Sequence, residues 1–575
     1  MTKTSDCPLP HGLMLSLALF QGLALFALSR AVAFKVWPWD EAHWLYLLYT
    51  VVLAGPLLML LACCRGTVMR TLKLLAPFIV VAAALAAYTG WQAEPDEAIK
   101  TYTLGPAFML TMGIACFKAA MYIQHLGHYD RLSYATLFLF SWRNFLVIGL
   151  GLLFVLVFWG ILMLWAALFK SIGIGFFDWL FGKDWFLYPV LGLVNGIAIM
   201  VFRGLTSVID TIAGVLQAAI KYLLPVLIVV SVTFLAALPF TGLEVLWNTG
   251  SGSLRILWLQ ALTLFFVNAV YQDETRASPY PPLLHRFVYV GVAVLPIYSA
   301  IAFYGLYQRV LQYGWTVERG WGMVIWSLLA MFAAGYLWGI VRHRDGWIQT
   351  LSRVNIAMGL VVMACMLLMN SPLLDLRKVA LHSQLARLER GDIDLQALDI
   401  DYIGRHLARP GYLALQSLKT GVASTHPDIA ENIERLYRPD ERRSHDAATL
   451  SQHLTVWPAG TDVPGELLQA LLAEPDVAGM RGVAQYLLLK VDLDADGVDE
   501  YVFIGKRNNW GKASLWQKSG EHWRSRDMWV TGDWAGVDIE ALAGRGEVVV
   551  SRPRWQQLQI GGLLFQVTPQ QDSDR

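Results

Sequence analysis

The chain is a succession of long apolar runs separated by short polar breaks, and after Met369 that pattern stops. Phe145–Arg203 shows the pattern most clearly. It opens with FLVIGLGLLFVLVFWGILMLWAALF, an apolar run of about 25 residues, which is enough to cross a bilayer as a helix. KSIGIGFFDWLFGKDWF follows, with Phe176, Phe177, Trp179, Phe181, Trp185 and Phe186 suited to the membrane–water interface. LYPVLGLVNGIAIMVFRG is a second apolar run. The order predicted is helix, interfacial elbow, helix. Carried along the chain, the same reading predicts about eleven spans of roughly 17 to 25 residues. They begin near Gly12, His43, Leu72, Leu104, Phe145, Leu187, Tyr222, Leu254, Phe287, Trp321 and Val354, and the last ends near Met369. The runs lack the two-residue alternation of a membrane barrel strand, so they are read as helices. Thr206–Ala219 has apolar residues at Val208, Ile209, Ile212, Val215 and Leu216 with a polar back. That spacing fits either a helix lying along the membrane surface or an extension of the next span.

Beyond Met369 the residues become charged, and LRKVALHSQLARLERG and DIDLQALDIDYIGRHLARPGYLALQSLK read as short helices punctuated by Gly391 and Pro410–Gly411. From about Leu454, YLLLKVDL, EYVFIGK, ASLWQK, EVVVSR and GLLFQVTP read as short strands. The predicted fold is mainly α. A polytopic transmembrane helical domain over 1–370 leads into a helical connector over 371–445 and a small soluble α+β, strand-rich domain over 446–575.

Composition agrees. Of 575 residues 56% are hydrophobic and 15% charged, with a mean hydropathy of +0.46, whereas a soluble chain carries roughly 25% charged residues. The net charge of +1 gives no electrostatic footprint for nucleic acid. None of the five cysteines follows Cys365, so no disulfide staples the soluble part. The N-terminal stretch lacks a small-x-small cleavage site and is read as a retained first span. Lys and Arg are commoner in alternate loops, among them Arg65, Arg70, Lys73, Arg131, Arg143, Arg203, Lys221, Arg342 and Arg344. By the positive-inside rule this places the N-terminus inside. The C-terminal domain then lies outside, which for a bacterial inner membrane is the periplasm.

Three segments resemble one family. They are LWAALFKSIGIGFFDWLFGKDWFLYPVLGL, then RVLQYGWTVERGWGMVIW with Tyr313–Gly314, Thr316 and Arg319 in a YG-x-T-x-x-R pattern, and NSPLLDLRKVALHSQLARLERGDIDLQALDIDYIGRHLARPGYLALQSL. Over roughly Leu164–Leu418 the chain resembles the bacterial multi-pass membrane proteins grouped as DUF4153, a domain of unknown function. The resemblance implies an inner-membrane protein and assigns no activity or catalytic residue.

The sharpest local motif is Val491-Asp-Leu-Asp-Ala-Asp-Gly-Val-Asp-Glu500. Asp492, Asp494 and Asp496 stand at positions 1, 3 and 5 of a calcium-type loop and Gly497 at 6. Position 12 is Phe503, so it is not an EF-hand. The flanking strands resemble those of FG-GAP-type repeats, with the Val498 carbonyl and Glu500 completing an oxygen shell around a structural calcium. The alternative is an acidic turn held by Asp-to-backbone hydrogen bonds. A second group, Asp40, Glu41 and His43, lies in the first outside loop, where a carboxylate can activate an acceptor hydroxyl as in polyprenyl-linked glycosyltransferases. Acidic residues beside aromatic ones are also ordinary at an interface. Lys118, Asn195, Gln260, Asn268 and Asn355 fall within or beside spans. Lys118 is expected to snorkel and the amides to bond between helices. Glu318 and Arg319 are expected to cap a helix or hold the following domain. The tail's tryptophans are read mostly as core. No P-loop, G-x-S-x-G, H-E-x-x-H or dinucleotide fingerprint occurs.

Three functions stay open. The first is a non-enzymatic envelope protein whose periplasmic domain senses or binds a protein or envelope ligand. The second is a transporter or lipid flippase. The third is a lipid-linked glycosyltransferase using Asp40 or Glu41.

Overall fold

The computed structural model describes residues 8–38, 41–95, 99, 104–248, 252–272, 279–423, 425–437, 454–473, 485–507, 510–519, 522–528, 538–548, 558–560 and 563–565. It falls into two compact units, Met1–Tyr437 and Arg438–Arg575.

Among its described residues the first unit holds eleven helices long and apolar enough to cross a membrane. They are α1 (His11–Ala33), α2 (Ala42–Ala62), α3 (Val68–Gln92), α4 (Leu104–His128) and α5 (Tyr134–Ser171). After the short α6 (Phe176–Phe181) come α7 (Asp184–Gly204) and α8 (Thr206–Thr241). The short α9 (Leu243–Asn248) precedes α10 (Gly252–Val270). Next, α11 (Pro282–Ala293) and α12 (Leu295–Tyr313) form one broken span, followed by α13 (Val317–His343) and α14 (Ile348–Leu368). The break sits at Val294, just before Pro296, which lacks the N–H a continuous helix needs.

The elbow is present. Trp165, Phe169, Phe177, Phe181 and Phe186 form a ring cluster between the end of α5, α6 and the start of α7. Trp179 and Trp185 stay 53% exposed, as side chains facing lipid headgroups would be. Two long helices overrun the bilayer. α5 starts at Tyr134, ahead of the apolar run that begins at Phe145, and Arg143 inside it meets Asp210 of α8 in a bidentate pair (2.8 and 2.6 Å). α8 is continuous from Thr206, so the amphipathic stretch is an extension of the span.

The core of this unit has two main clusters. One is built on Leu58, Leu61, Ala120, Ile123, Val147 and Ile199, and the other on Ile228, Val267, Tyr298, Tyr336, Trp347 and Leu351. Ala115 of α4 meets Met358 and Met366 of α14 between them. Charged helices follow α14: α15 (Leu376–Glu389), α16 (Ile400–His406), α17 (Ala408–Val422) and α18 (Pro427–Tyr437). They close round Ala380, Ile403, Leu407, Leu415 and Ile433 and pack against Val317 at the start of α13. We refer to the bundle end they cover as the connector end.

The second unit contains a five-stranded sheet in the order β1 (Leu454–Trp457), β2 (Gln485–Val491), β3 (Glu500–Arg507), β4 (Trp510–Ser519), β5 (His522–Met528). β1 is parallel to β2 and the remaining pairs are antiparallel. One face carries Tyr486, Leu488, Phe503 and Trp516 against Leu467 and Leu471 of α19 (Gly465–Ala473). The other carries Leu487, Leu489 and Val502 against Ile539 and Ala543 of α20 (Ile539–Gly544). A two-stranded ladder, β6 (Leu558–Ile560) with β7 (Leu563–Phe565), completes the described strands. Trp516 is core, at 2% exposure, while Trp529, Trp534, Trp555 and most of EVVVSR lie outside the described residues. The fold is therefore a polytopic helical domain followed by a small α+β domain.

Candidate functional site

The β2–β3 ladder ends at the pair Val491–Glu500, and residues 492–499 form its loop. Ala495 (φ 61°) and Gly497 (φ 85°) adopt the left-handed conformation that turns the chain back on itself. Local hydrogen bonds shape the turn. Asp494 Oδ1 accepts from the Asp496 N–H (3.2 Å), Asp496 Oδ1 from Val498 N–H (2.7 Å), and Asp492 Oδ2 from Gly497 N–H (3.1 Å). Glu500, 4% exposed, accepts from Leu493 N–H (2.8 Å) and Gln517 Nε2 (3.4 Å).

The turn brings oxygens of Asp492, Asp494 and Glu500 within 4.8 Å of one another, an acidic cluster that could hold a metal ion. Asp492 Oδ1 is shielded from solvent and has no hydrogen-bond partner. Three carboxylates, one of them with an orphaned oxygen, form a hard, all-oxygen donor set, which suits Ca²⁺ or Mg²⁺ far better than a soft metal. Of the other predicted ligands, Asp496 is committed to Val498 N–H, and Val498 is 66% exposed on the loop. Asp499 lies 3.3 Å from Lys490 in an ion pair of its own.

Asp40 lies outside the described residues; at the connector end, Glu41 is the residue preceding α2. Glu41 accepts from Trp37 Nε1 (3.2 Å) and lies 3.4 Å from His43 Nε2. The other ring nitrogen, His43 Nδ1, is 2.6 Å from Glu94 Oε1. Glu94 in turn lies 3.7 Å from the Arg409 guanidinium, which stacks 4.5 Å above Trp91. Gly90 makes this meeting feasible: a Cβ there would stand 2.5 Å from the Ala42 carbonyl oxygen, so only glycine lets α2 and α3 converge. An imidazole between two carboxylates can accept a proton on one side and release it on the other. Sequence reasoning missed Glu94 and Arg409, because no local spacing links them to His43.

The YG-x-T-x-x-R segment is a docking joint. Gly314 (φ 75°) ends α12, and Thr316 caps α13 by accepting from Arg319 N–H (3.3 Å). The Arg319 guanidinium donates to Gly314 O (2.7 Å), and Glu318 sits in the first turn of α13 as expected. Connector side chains take the free backbone donors: Ser383 Oγ accepts from Trp315 N–H (3.0 Å), and Tyr402 Oη from Val317 N–H (2.8 Å). Burial pushes the Tyr402 hydroxyl up to about 12, so it stays neutral in this role.

The family model described as a domain of unknown function, DUF4153, matches residues 20–418. No curated protein and no solved structure matches the chain. The matched stretch runs from within α1 through the elbow and the docking joint into α17. The match thus takes in most of α1, the other spans, the elbow and the connector as far as α17, and the chain belongs to the DUF4153 family.

Proposed function

We propose that this protein is a non-enzymatic envelope protein of a bacterial inner membrane, with its N-terminus in the cytoplasm. Its C-terminal domain works in the periplasm as a sensing or partner-binding module. The orientation rests on the Lys and Arg bias between alternate loops. The observation that carries the reading is the docked connector. α15 and α16 are tied to the spans by the Ser383 and Tyr402 side chains, which accept from backbone N–H groups at the start of α13, and by Asp375, which is buried with its own neighbour Arg377 and accepts from Tyr88 Oη of α3 (2.8 Å). A simple membrane tether needs no such joint; a platform that must hold its shape does.

The acidic loop supports a structural calcium. Asp492, Asp494 and Glu500 form the first part of its shell, with Asp496 and the Val498 carbonyl as further ligands. Adding calcium to chelator-treated full-length protein should raise the unfolding midpoint of the C-terminal unit. At a hundredfold excess over Kd the gain is about 2.7 kcal/mol. Asp492→Asn and Asp494→Asn should each abolish the shift. An unchanged midpoint in the wild-type protein would remove the metal.

The function itself is tested by mass spectrometry of envelope lipids and glycans from a deletion strain. Unchanged profiles favour the binding module. A missing modification with an accumulated lipid-linked donor favours the second reading, a glycosyltransferase-like enzyme or flippase. The Glu41–His43–Glu94 relay is the observation behind that alternative. In that case Glu41→Gln and His43→Gln, at normal protein abundance, should each lower product about a hundredfold or more, the low end of a general-base contribution.

A further inference from the structure

Lys118 does not run up the outside of its helix. It lines a cavity of about 210 Å³ with Tyr122, Tyr134, Ser141, Asn268 and Asn355, contributed by α4, α5, α10 and α14. Lys118 stands ten positions before His128 at the end of α4, but the cavity it lines also takes in Tyr134, the first residue of α5, and Asn268, two residues from the end of α10, so it lies towards one end of the bundle. Among the described residues Lys118 makes no ion pair and no hydrogen bond. A lone cation there is costly unless something neutralises it.

The rest of the wall is held rigid. Asn268 Oδ1 accepts from Tyr336 Oη (2.8 Å), Asn355 Nδ2 (2.6 Å) and Tyr134 Oη (3.2 Å). Tyr336 Oη also lies 2.5 Å from Asn355 Oδ1, so its one proton is shared between the two amide oxygens, and Tyr122 Oη donates to the Ile356 carbonyl (2.7 Å). The acceptors of this cluster are therefore engaged with its own donors. Lys118 Nζ and Asn268 Nδ2 are left over as donors, the Ser141 hydroxyl beside them makes no hydrogen bond among the described residues, and no carboxylate lines the cavity. Beside them Trp142 and Phe265 stack with ring centroids 6.5 Å apart, and Phe265 is 52% exposed on the side of the bundle that faces lipid.

We propose that this cavity binds the phosphate of an anionic phospholipid, with Lys118 as its counter-ion and Asn268 Nδ2 as a second donor. A cavity of about 210 Å³ has room for a phosphate group. The chains would stay outside along Trp142 and Phe265, which is why we assign a membrane lipid and not free phosphate.

The test uses delipidated full-length protein in detergent. Phosphatidylglycerol, phosphatidylcholine and inorganic phosphate are titrated separately, with native mass spectrometry and the unfolding midpoint as readouts. Wild-type protein should retain phosphatidylglycerol at least about tenfold more tightly than phosphatidylcholine. Lys118→Gln should weaken that binding roughly 10- to 100-fold, the range for losing one charge-assisted bond, and Lys118→Arg should keep most of it. Should Lys118→Gln fail to fold, Ser141→Asp carries the test: it supplies an internal counter-ion in the same cavity and should weaken phosphatidylglycerol to the same extent. Equal retention of both lipids by the wild type, or undiminished binding in Lys118→Gln and Ser141→Asp, overturns the site. Stabilisation by inorganic phosphate without retention of phosphatidylglycerol overturns the lipid assignment.

Discussion

Asp375→Ala is expected to destabilise the membrane unit by about 3–5 kcal/mol, the usual cost of removing one partner from a buried ion pair. The carboxylate is 1% exposed and its partner Arg377 11%, so little solvent screening weakens the interaction. Four donors converge on it: Arg377 N–H (3.1 Å), Nε (2.8 Å) and Nη2 (3.2 Å), and Tyr88 Oη (2.8 Å). Asp375 is at once the N-cap of α15 and the tie between that helix and α3. Alanine would leave a guanidinium and a hydroxyl desolvated with nothing to accept from them. Asp375→Asn keeps an acceptor for the cap and should cost less. Arg390→Ala is the control, because the Arg390–Asp392 pair is 62% and 48% exposed and such pairs contribute little. Thermal unfolding of the full chain in detergent, with proteolysis across 371–437, reads all three. Equal midpoints for Asp375→Ala and Arg390→Ala would mean that the joint does not hold the connector.

The spans were legible in the sequence because the bilayer imposes both a length and a composition, and those survive without any knowledge of neighbours. Their ends were less so. Arg143 reads as a loop charge until Asp210, on another helix, is found beside it. In the soluble unit β2 and β3 stand out because both sheet faces are covered, which turns YLLL and YVFI into continuous apolar stretches. β5, HWRSRDM, carries no such run. It is an edge strand with solvent on much of its surface, and its charges conceal it.

The candidate sites divide in the same way. The acidic loop was visible because its carboxylates are spaced within a single turn. The relay at the connector end was not. His43 and Glu94 are 51 positions apart, and Glu94 and Arg409 are 315 apart. Lys118, Asn268 and Asn355 were each noticeable as polar residues in apolar runs, but three helices must pack before they share a cavity.

Gly192→Leu should be among the most damaging substitutions within the spans, because it acts where two backbones touch. α1 and α7 cross at Ala18, Gly22, Gly192 and Gly196. A Cβ on Gly192 would lie 2.8 Å from Gly22 Cα and 3.0 Å from the Ala18 carbonyl oxygen, and one on Gly22 would lie 2.6 Å from the Tyr188 carbonyl oxygen. One on Gly196 would run into the Ala18 Cβ. These neighbours are almost all main chain, which cannot rotate aside as a side chain can. Gly192-x-x-x-Gly196 is a small-xxx-small spacing. Reading 187–204 only as an apolar run passes over it, although the letters GLVNG were there to be read. Lipid gives helices no hydrophobic reason to associate, so close packing is most of what joins this pair. Overpacking a soluble core costs about 1–3 kcal/mol, and leucine here should reach or exceed the top of that range. Gly160→Leu on α5 is the matched control, since nothing lies within 4 Å of its Cβ position, and it should fold and melt like the wild type. If Gly192→Leu is as monodisperse and as heat-resistant as Gly160→Leu, the α1–α7 crossing is not a close contact in the membrane. If it aggregates while the control does not, the first span is held to the bundle through these glycines.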